Sequence, residues 1–133
     1  MAKQALLRCS VITPERQVLE REAASVVLPA HDGLIGYMRD RAPMVCEVGI
    51  GILTMSGGPQ GEQRLFVDGG FAQVLNNDVT ILTNRAMSAD EIDRENATAA
   101  MREAEGMRIS DDASFEARQK AMARAQTQLK LAK

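Results

Sequence analysis

Proline and glycine stop abruptly partway along this chain. All four prolines (Pro14, Pro29, Pro43, Pro59) and nine of the ten glycines precede Ala86. Beyond Ser88 there is only Gly106, no proline and eleven alanines. Proline lacks an N–H and fixes its backbone, glycine supplies turn conformations, and alanine is the strongest helix former. Residues 1–86 therefore read as short strands joined by turns, and 87–133 as helix.

In the first part, Ala5, Leu7, Cys9 and Val11 alternate with Gln4, Leu6, Arg8 and Ser10, close to the period of a half-buried strand. Thr13-Pro14-Glu15-Arg16 is a turn. Ser25–Leu28 is a strand expected to stop at Pro29, followed by a turn at His31-Asp32-Gly33. Ile50–Met55 is a strand running into Ser56-Gly57-Gly58-Pro59-Gln60-Gly61, a loop of turn-forming residues. Arg64–Val67, Phe71–Leu75 and Val79–Thr83 follow, the last two joined as a hairpin through Asn76-Asn77-Asp78. Many short strands at this spacing predict a β-sandwich or barrel.

The second part carries helix punctuation. Ser88-Ala89-Asp90-Glu91 reads as a capping box opening a helix that ends near Gly106. Asp111-Asp112 offers the N-cap of a second helix from about Ala113 to Leu131. Its expected seam is Phe115, Met122 and Leu129, with Ala125 and Ala132; the first helix offers Ile92, Ala99, Ala100, Ala104 and Met107. The short joint predicts an antiparallel hairpin. The fold expected is thus β plus α, a sandwich over 1–86 and a two-helix hairpin over 87–133.

Charge excludes several classes of function. Sixteen Lys and Arg against 18 Asp and Glu leave a net charge of −2, without the basic surplus that nucleic acid binding requires. No apolar stretch approaches the ~20 residues that span a bilayer, and the patterned N-terminus reads as carrying no targeting peptide. Cys9 and Cys46 fit no metal or redox spacing and read as buried thiols in a reducing compartment. His31 is the only histidine, which leaves no His-based metal site and no triad motif around it. Gly49-Ile50-Gly51 lacks the third glycine of a dinucleotide fingerprint, with Thr54 in that place. Gly69-Gly70 reads as a bulge or close backbone approach rather than a phosphate cradle. The eight methionines read as packing residues. Together these features describe a binding or mechanical part rather than an enzyme, with no cofactor or metal.

Within the hairpin the charges segregate. Ser88–Asp112 has eight acids against three arginines, whereas Ala113–Lys133 has Arg118, Lys120, Arg124, Lys130 and Lys133 against Glu116 alone. An alanine-rich seam with few large apolar side chains holds a hairpin weakly, so a basic helix could leave its acidic neighbour for another acidic surface.

Several segments in order resemble one family. Val11-Ile12-Thr13-Pro14-Glu15-Arg16, then Val26-Val27-Leu28-Pro29-Ala30 with Asp32-Gly33 and Gly36, then Ala42-Pro43, and finally Gly69-Gly70-Phe71-Ala72-Gln73-Val74 with Asn77-Asp78-Val79-Thr80-Ile81-Leu82 resemble the epsilon subunit of the rotary proton-translocating ATP synthase. The resemblance implies a non-catalytic central-stalk subunit at the cytoplasmic face of the cell membrane, held there through its complex. Its sandwich would bind the gamma subunit and rest on the polar loops of the c-ring, coupling rotation to ATP synthesis. Its helices would either fold on the sandwich or extend, where Arg118, Lys120, Arg124 and Lys130 would meet acidic segments of the beta subunits and block ATP hydrolysis.

Asp32, Gly33, Leu34, Arg39 and Arg41 would face the c-ring. Arg39-Asp40-Arg41 stands where the family usually has Pro-Gly-His. Some members bind ATP through Ile/Leu-Asp-x-x-Arg-Ala. This chain reads Ile92-Asp93-Arg94-Glu95-Asn96-Ala97, so Asp93 is the remaining nucleotide candidate and Asn96 supplies no cation. Two other readings of the residues are a free-standing protein-binding adaptor and a small enzyme centred on His31.

Overall fold

The computed structural model describes residues 6–30 and 33–132. His31 and Asp32 therefore lie outside the described residues, as does Lys133. The strands are β1 (Leu7–Ile12), β2 (Gln17–Ala23), β3 (Ser25–Ala30), β4 (Gly33–Met38), β5 (Met44–Glu47), β6 (Ile50–Ser56), β7 (Gln63–Asp68), β8 (Phe71–Leu75), β9 (Asp78–Leu82) and β10 (Ala86–Ser88). They form two five-stranded sheets, ordered β2-β1-β9-β8-β5 and β10-β7-β6-β3-β4. Among the described residues all pairings of these strands are antiparallel except β1 with β9. Helices α1 (Arg94–Glu105) and α2 (Asp112–Leu131) follow. The expected sandwich and hairpin are both present, with the sheet continuing to Ser88, past the compositional break at Ala86.

The core lies between the sheets and follows strand alternation. Leu7, Cys9 and Val11 of β1 and Val79 and Ile81 of β9 meet Val26, Leu28, Leu53, Met55, Leu65 and Val67 of the opposite sheet. Asn76 and Asn77 both take positive φ, 51° and 66°, and join Leu75 to Asp78 in a two-residue hairpin of the type that matches strand twist.

Strand β3 does not stop at Pro29. Pairing with β6 ends at Val27, and the Pro29 carbonyl accepts from Gly49 N–H at 2.8 Å. A residue's N and O face the same side of a strand. The missing N–H thus faces the gap between the end of the β6 ladder at Val27 and the single bridge of Ala30 to Val48, and Gly51 packs there against the ring.

The Ser88 box forms, its backbone N–H and hydroxyl both donating to Glu91 Oε1 at 3.1 and 3.0 Å, but it opens only a 3-10 turn over Ala89–Glu91. Ile92 is then extended and Asp93 is the N-cap of α1. Asp111 caps α2 as expected, accepting from Ser114 N–H at 2.8 Å.

The interhelix seam differs from the heptad reading. Its buried residues are Ala97 together with the expected Ala104 and Ala125, while Phe115 is 47% exposed, Met122 and Leu129 are half-buried and Ala99 and Ala100 face solvent. Small side chains let the helices approach closely, and the helix period of 3.6 residues carries a strict seven-residue row off the contact. Ile92 and Leu131 turn instead to the sandwich, packing with Phe66. Two packing expectations also change. Cys46 is half-buried rather than buried, and Met38 and Met44 are exposed. No helix among the described residues is long and apolar enough to cross a membrane.

Candidate functional site

The hairpin lies on the outer face of the second sheet. Three cross-strand pairs make up that face, Ile50 with Asp68, Ile52 with Phe66 and Thr54 with Arg64, because Leu53, Leu65 and Val67 alternate into the core. Phe66 is fully buried under Leu131 and Ile92, with Ile50, Ile52 and Met87 at its margin. Asp68 ends this row as a mostly buried carboxylate.

Asp68 is held rigidly. Its N–H donates to the Arg85 carbonyl and to Thr83 Oγ1, each at 3.1 Å, and its carbonyl accepts from Asn84 Nδ2 at 3.1 Å. Its carboxylate accepts from Arg124 Nε of α2 at 2.8 Å. Among the described residues this is the only ion pair joining either helix to the sandwich. Asp68 was not singled out in the sequence. The available signal was a single acid ending the apolar run Leu65-Phe66-Val67.

The four cations expected to act together are placed apart. Arg118 reaches the Glu105 carbonyl at 3.5 Å, at the limit of a hydrogen bond. Lys120 pairs with Glu116 one turn earlier at 3.1 Å. Arg124 is engaged by Asp68. Lys130 has no ion-pair partner among the described residues and lines a groove of about 410 Å³ with Pro29, Ile52 and Arg64. An unexpected contact closes the hairpin on itself: Arg94 Nη donates to the Ala132 carbonyl at 3.0 Å, a cation at the negative end of α2.

The Asp93 carboxylate accepts from Glu95 and Asn96 N–H at 2.9 and 3.3 Å and is thereby committed to capping α1. A groove of about 360 Å³ lies between the helices, lined by Asn96, Glu103, Met107, Arg124 and Gln128. The only arginine that α2 brings to it is thus already paired with Asp68.

The residues assigned to the c-ring are strung out along β4, a free edge, rather than clustered. Gly33 and the 73% exposed Leu34 begin the strand. Arg39 and Arg41 follow its end, about 17 Å away at ~3.4 Å per residue. There Asp40, at φ 66°, donates its N–H to Asn77 Oδ1 at 2.7 Å, fixing the arginine turn to the β8–β9 hairpin. Asp32 lies outside the described residues.

A second feature belongs to the opposite sheet. Its outer face exposes Val45, Phe71, Leu75 and Leu82, with Phe71 directly opposite Leu82. An apolar group of this kind marks an interaction face.

The chain is thus a β-sandwich protein with a C-terminal helical hairpin docked on one sheet. The family model for the β-sandwich domain of the ATP synthase delta/epsilon chain matches residues 6–89. The ATP synthase epsilon chain of Rhodopirellula baltica is 44% identical over 124 residues, 93% of this chain and 96% of that one. Among solved structures, a chain of the Euglena gracilis mitochondrial ATP synthase matches with a TM-score of 0.79 at 22% identity, covering 96% of this chain and 81% of that one. A chain of the Tetrahymena thermophila mitochondrial ATP synthase, in a structure of its central stalk and c-ring, matches at 0.68 and 14%, covering 99% and 100%. This chain belongs to the ATP synthase epsilon family.

Proposed function

We propose that this chain is a non-catalytic central-stalk subunit of a proton-translocating ATP synthase, coupling rotation of the c-ring through gamma to ATP synthesis. In this reading it sits peripherally at the cytoplasmic face of the cell membrane, attached only through the complex. Residues 1–86 serve as the rotor-binding body and 87–133 as the regulatory hairpin. The apolar face of Val45, Phe71, Leu75 and Leu82 seats gamma, and the β4 edge with Gly33, Leu34, Arg39 and Arg41, together with Asp32, lies against the polar loops of the c-ring. When the hairpin extends, Arg118, Lys120, Arg124 and Lys130 meet acidic segments of the beta subunits and restrain ATP hydrolysis.

The observation that carries this reading is the pairing of two surfaces with opposite character. One sheet exposes Val45, Phe71, Leu75 and Leu82 on its uncovered outer face, while the other is covered by a basic helix. Co-purification of gamma with the chain from native membranes tests the rotor role, and a chain found alone would overturn it. Ending the chain after Asp112 tests the regulatory role. ATP hydrolysis by the assembled enzyme is expected to rise several-fold, roughly the worth of one or two exposed charge pairs, and unchanged hydrolysis would remove the regulatory role.

A further inference from the structure

Among the contacts of α2 with β6 and β7, two differ in kind. Leu131 packs on Phe66 and Ile92 at the end of α2. Arg124 donates to Asp68 seven residues earlier, about 10 Å along the helix at ~1.5 Å per residue. The apolar contact is small, with Leu131 the one large, buried apolar side chain of α2. The ionic contact is asymmetric. The Asp68 side chain is only 10% exposed, whereas that of Arg124 is 40% exposed. With the hairpin docked, Arg124 could lose its partner and still meet water. Asp68 has only a narrow edge on the cleft beside α2, so losing its partner would leave a mostly buried charge.

We propose that the Asp68–Arg124 pair is the clasp that decides whether the hairpin stays on the sandwich, and that Asp68 expels the hairpin whenever Arg124 is taken by another carboxylate. The proposal rests on the regulatory reading of the hairpin given above. A cleft of about 550 Å³ opens beside the pair, lined by Asp68 and Arg124 themselves, and gives a competing carboxylate a route to the guanidinium past Glu47 and Glu116. The same guanidinium cannot hold Asp68 and an acidic partner together. Docking on the sandwich and engagement of that partner by Arg124 are therefore mutually exclusive.

The test uses the full chain with ¹³C-methyl methionine and reads two resonances. Met87 lies at the margin of the cluster under the hairpin, and Met55 lies in the sandwich core. In Arg124→Gln the Met87 methyl is expected to move to a solvent-exposed shift, the docked-to-released ratio falling about tenfold or more, with Met55 unchanged. Asp68→Ala, which leaves no buried charge, is expected to move Met87 less. The exchange Asp68→Arg with Arg124→Asp is expected to restore docking. Equal Met87 populations in Arg124→Gln and the parent would overturn the clasp. If Arg124→Gln also loses the Met55 signal, the other two variants decide. There, a Met87 shift in Asp68→Ala that the exchange variant does not reverse would overturn the clasp. ATP hydrolysis by the assembled complex is read separately. Release without a change in hydrolysis would sink the regulatory reading and keep the clasp. No release would sink the clasp whatever hydrolysis does.

Discussion

Gly70 takes a φ of +107°, and a side-chain carbon built there would stand 1.8 Å from the Leu82 carbonyl oxygen. Neither partner can yield, since both are backbone. Gly70→Ala is therefore expected to lower stability by about 3 kcal/mol, read as a shift in denaturant midpoint at constant slope. The glycine pair was legible in the sequence as a close approach, because only a glycine tolerates that backbone. Asp68, two residues earlier, was not legible, because an acid ending an apolar run looks like the start of a turn. Its meaning lies in a helix far along the chain. Burial also pushes the Cys9 thiol from its ordinary value of 9.0 up to about 12. Tyr37, buried and hydrogen-bonded to Cys46, is likewise pushed up to about 12. Both groups bind protons more tightly folded than unfolded, so the stability they contribute is complete below pH ~9 and is lost as pH rises toward ~12. Thermal unfolding scans across that range are expected to show a steady fall, and Cys46 is expected to be alkylated well before Cys9 at pH 8.

The elements divide cleanly by position in their sheets. The strands recognised from sequence, β1, β3, β6, β7, β8 and β9, are the interior ones. Those not recognised, β2, β4, β5 and β10, are all edges. An interior strand has a neighbour on each side and a packed face, which demands apolar alternation. An edge strand is free to carry the charges of Glu20-Arg21-Glu22 in β2 or Gly33 and Gly36 in β4, and natural edges use such residues to discourage pairing with other chains. The helix start was misplaced for a related reason. Ser88 and Asp93 both have the chemistry of a cap, and only the course of the chain over the sandwich decides between them. Asp93→Ala is expected to cost about 1 kcal/mol, and to speed amide exchange at Glu95 and Asn96 without affecting Ser88. The alanine seam was legible in its composition but not in its register, since alanine looks the same on every face of a helix.

For the whole molecule, the compositional break at Ala86 carried the division into a strand-built body and a helical appendage. What the sequence did not reveal is the distribution of surfaces. Phe71 is 59% exposed in the free chain, so Phe71→Glu is expected to alter stability by less than about 0.5 kcal/mol. Capture of gamma is expected to weaken tenfold or more, measured by co-purification at matched expression. Loss of stability with capture intact would instead make Phe71 a packing residue.

The one parallel pairing has a mechanical consequence. β1 and β9 lie side by side over Arg8–Ile12 and Asp78–Leu82, running in the same direction. Tension applied at the start of β1 and the end of β9 acts along the strands, so every rung of the ladder shares the load at once instead of opening one after another. A body laced this way resists being pulled lengthwise at those two ends far better than being peeled.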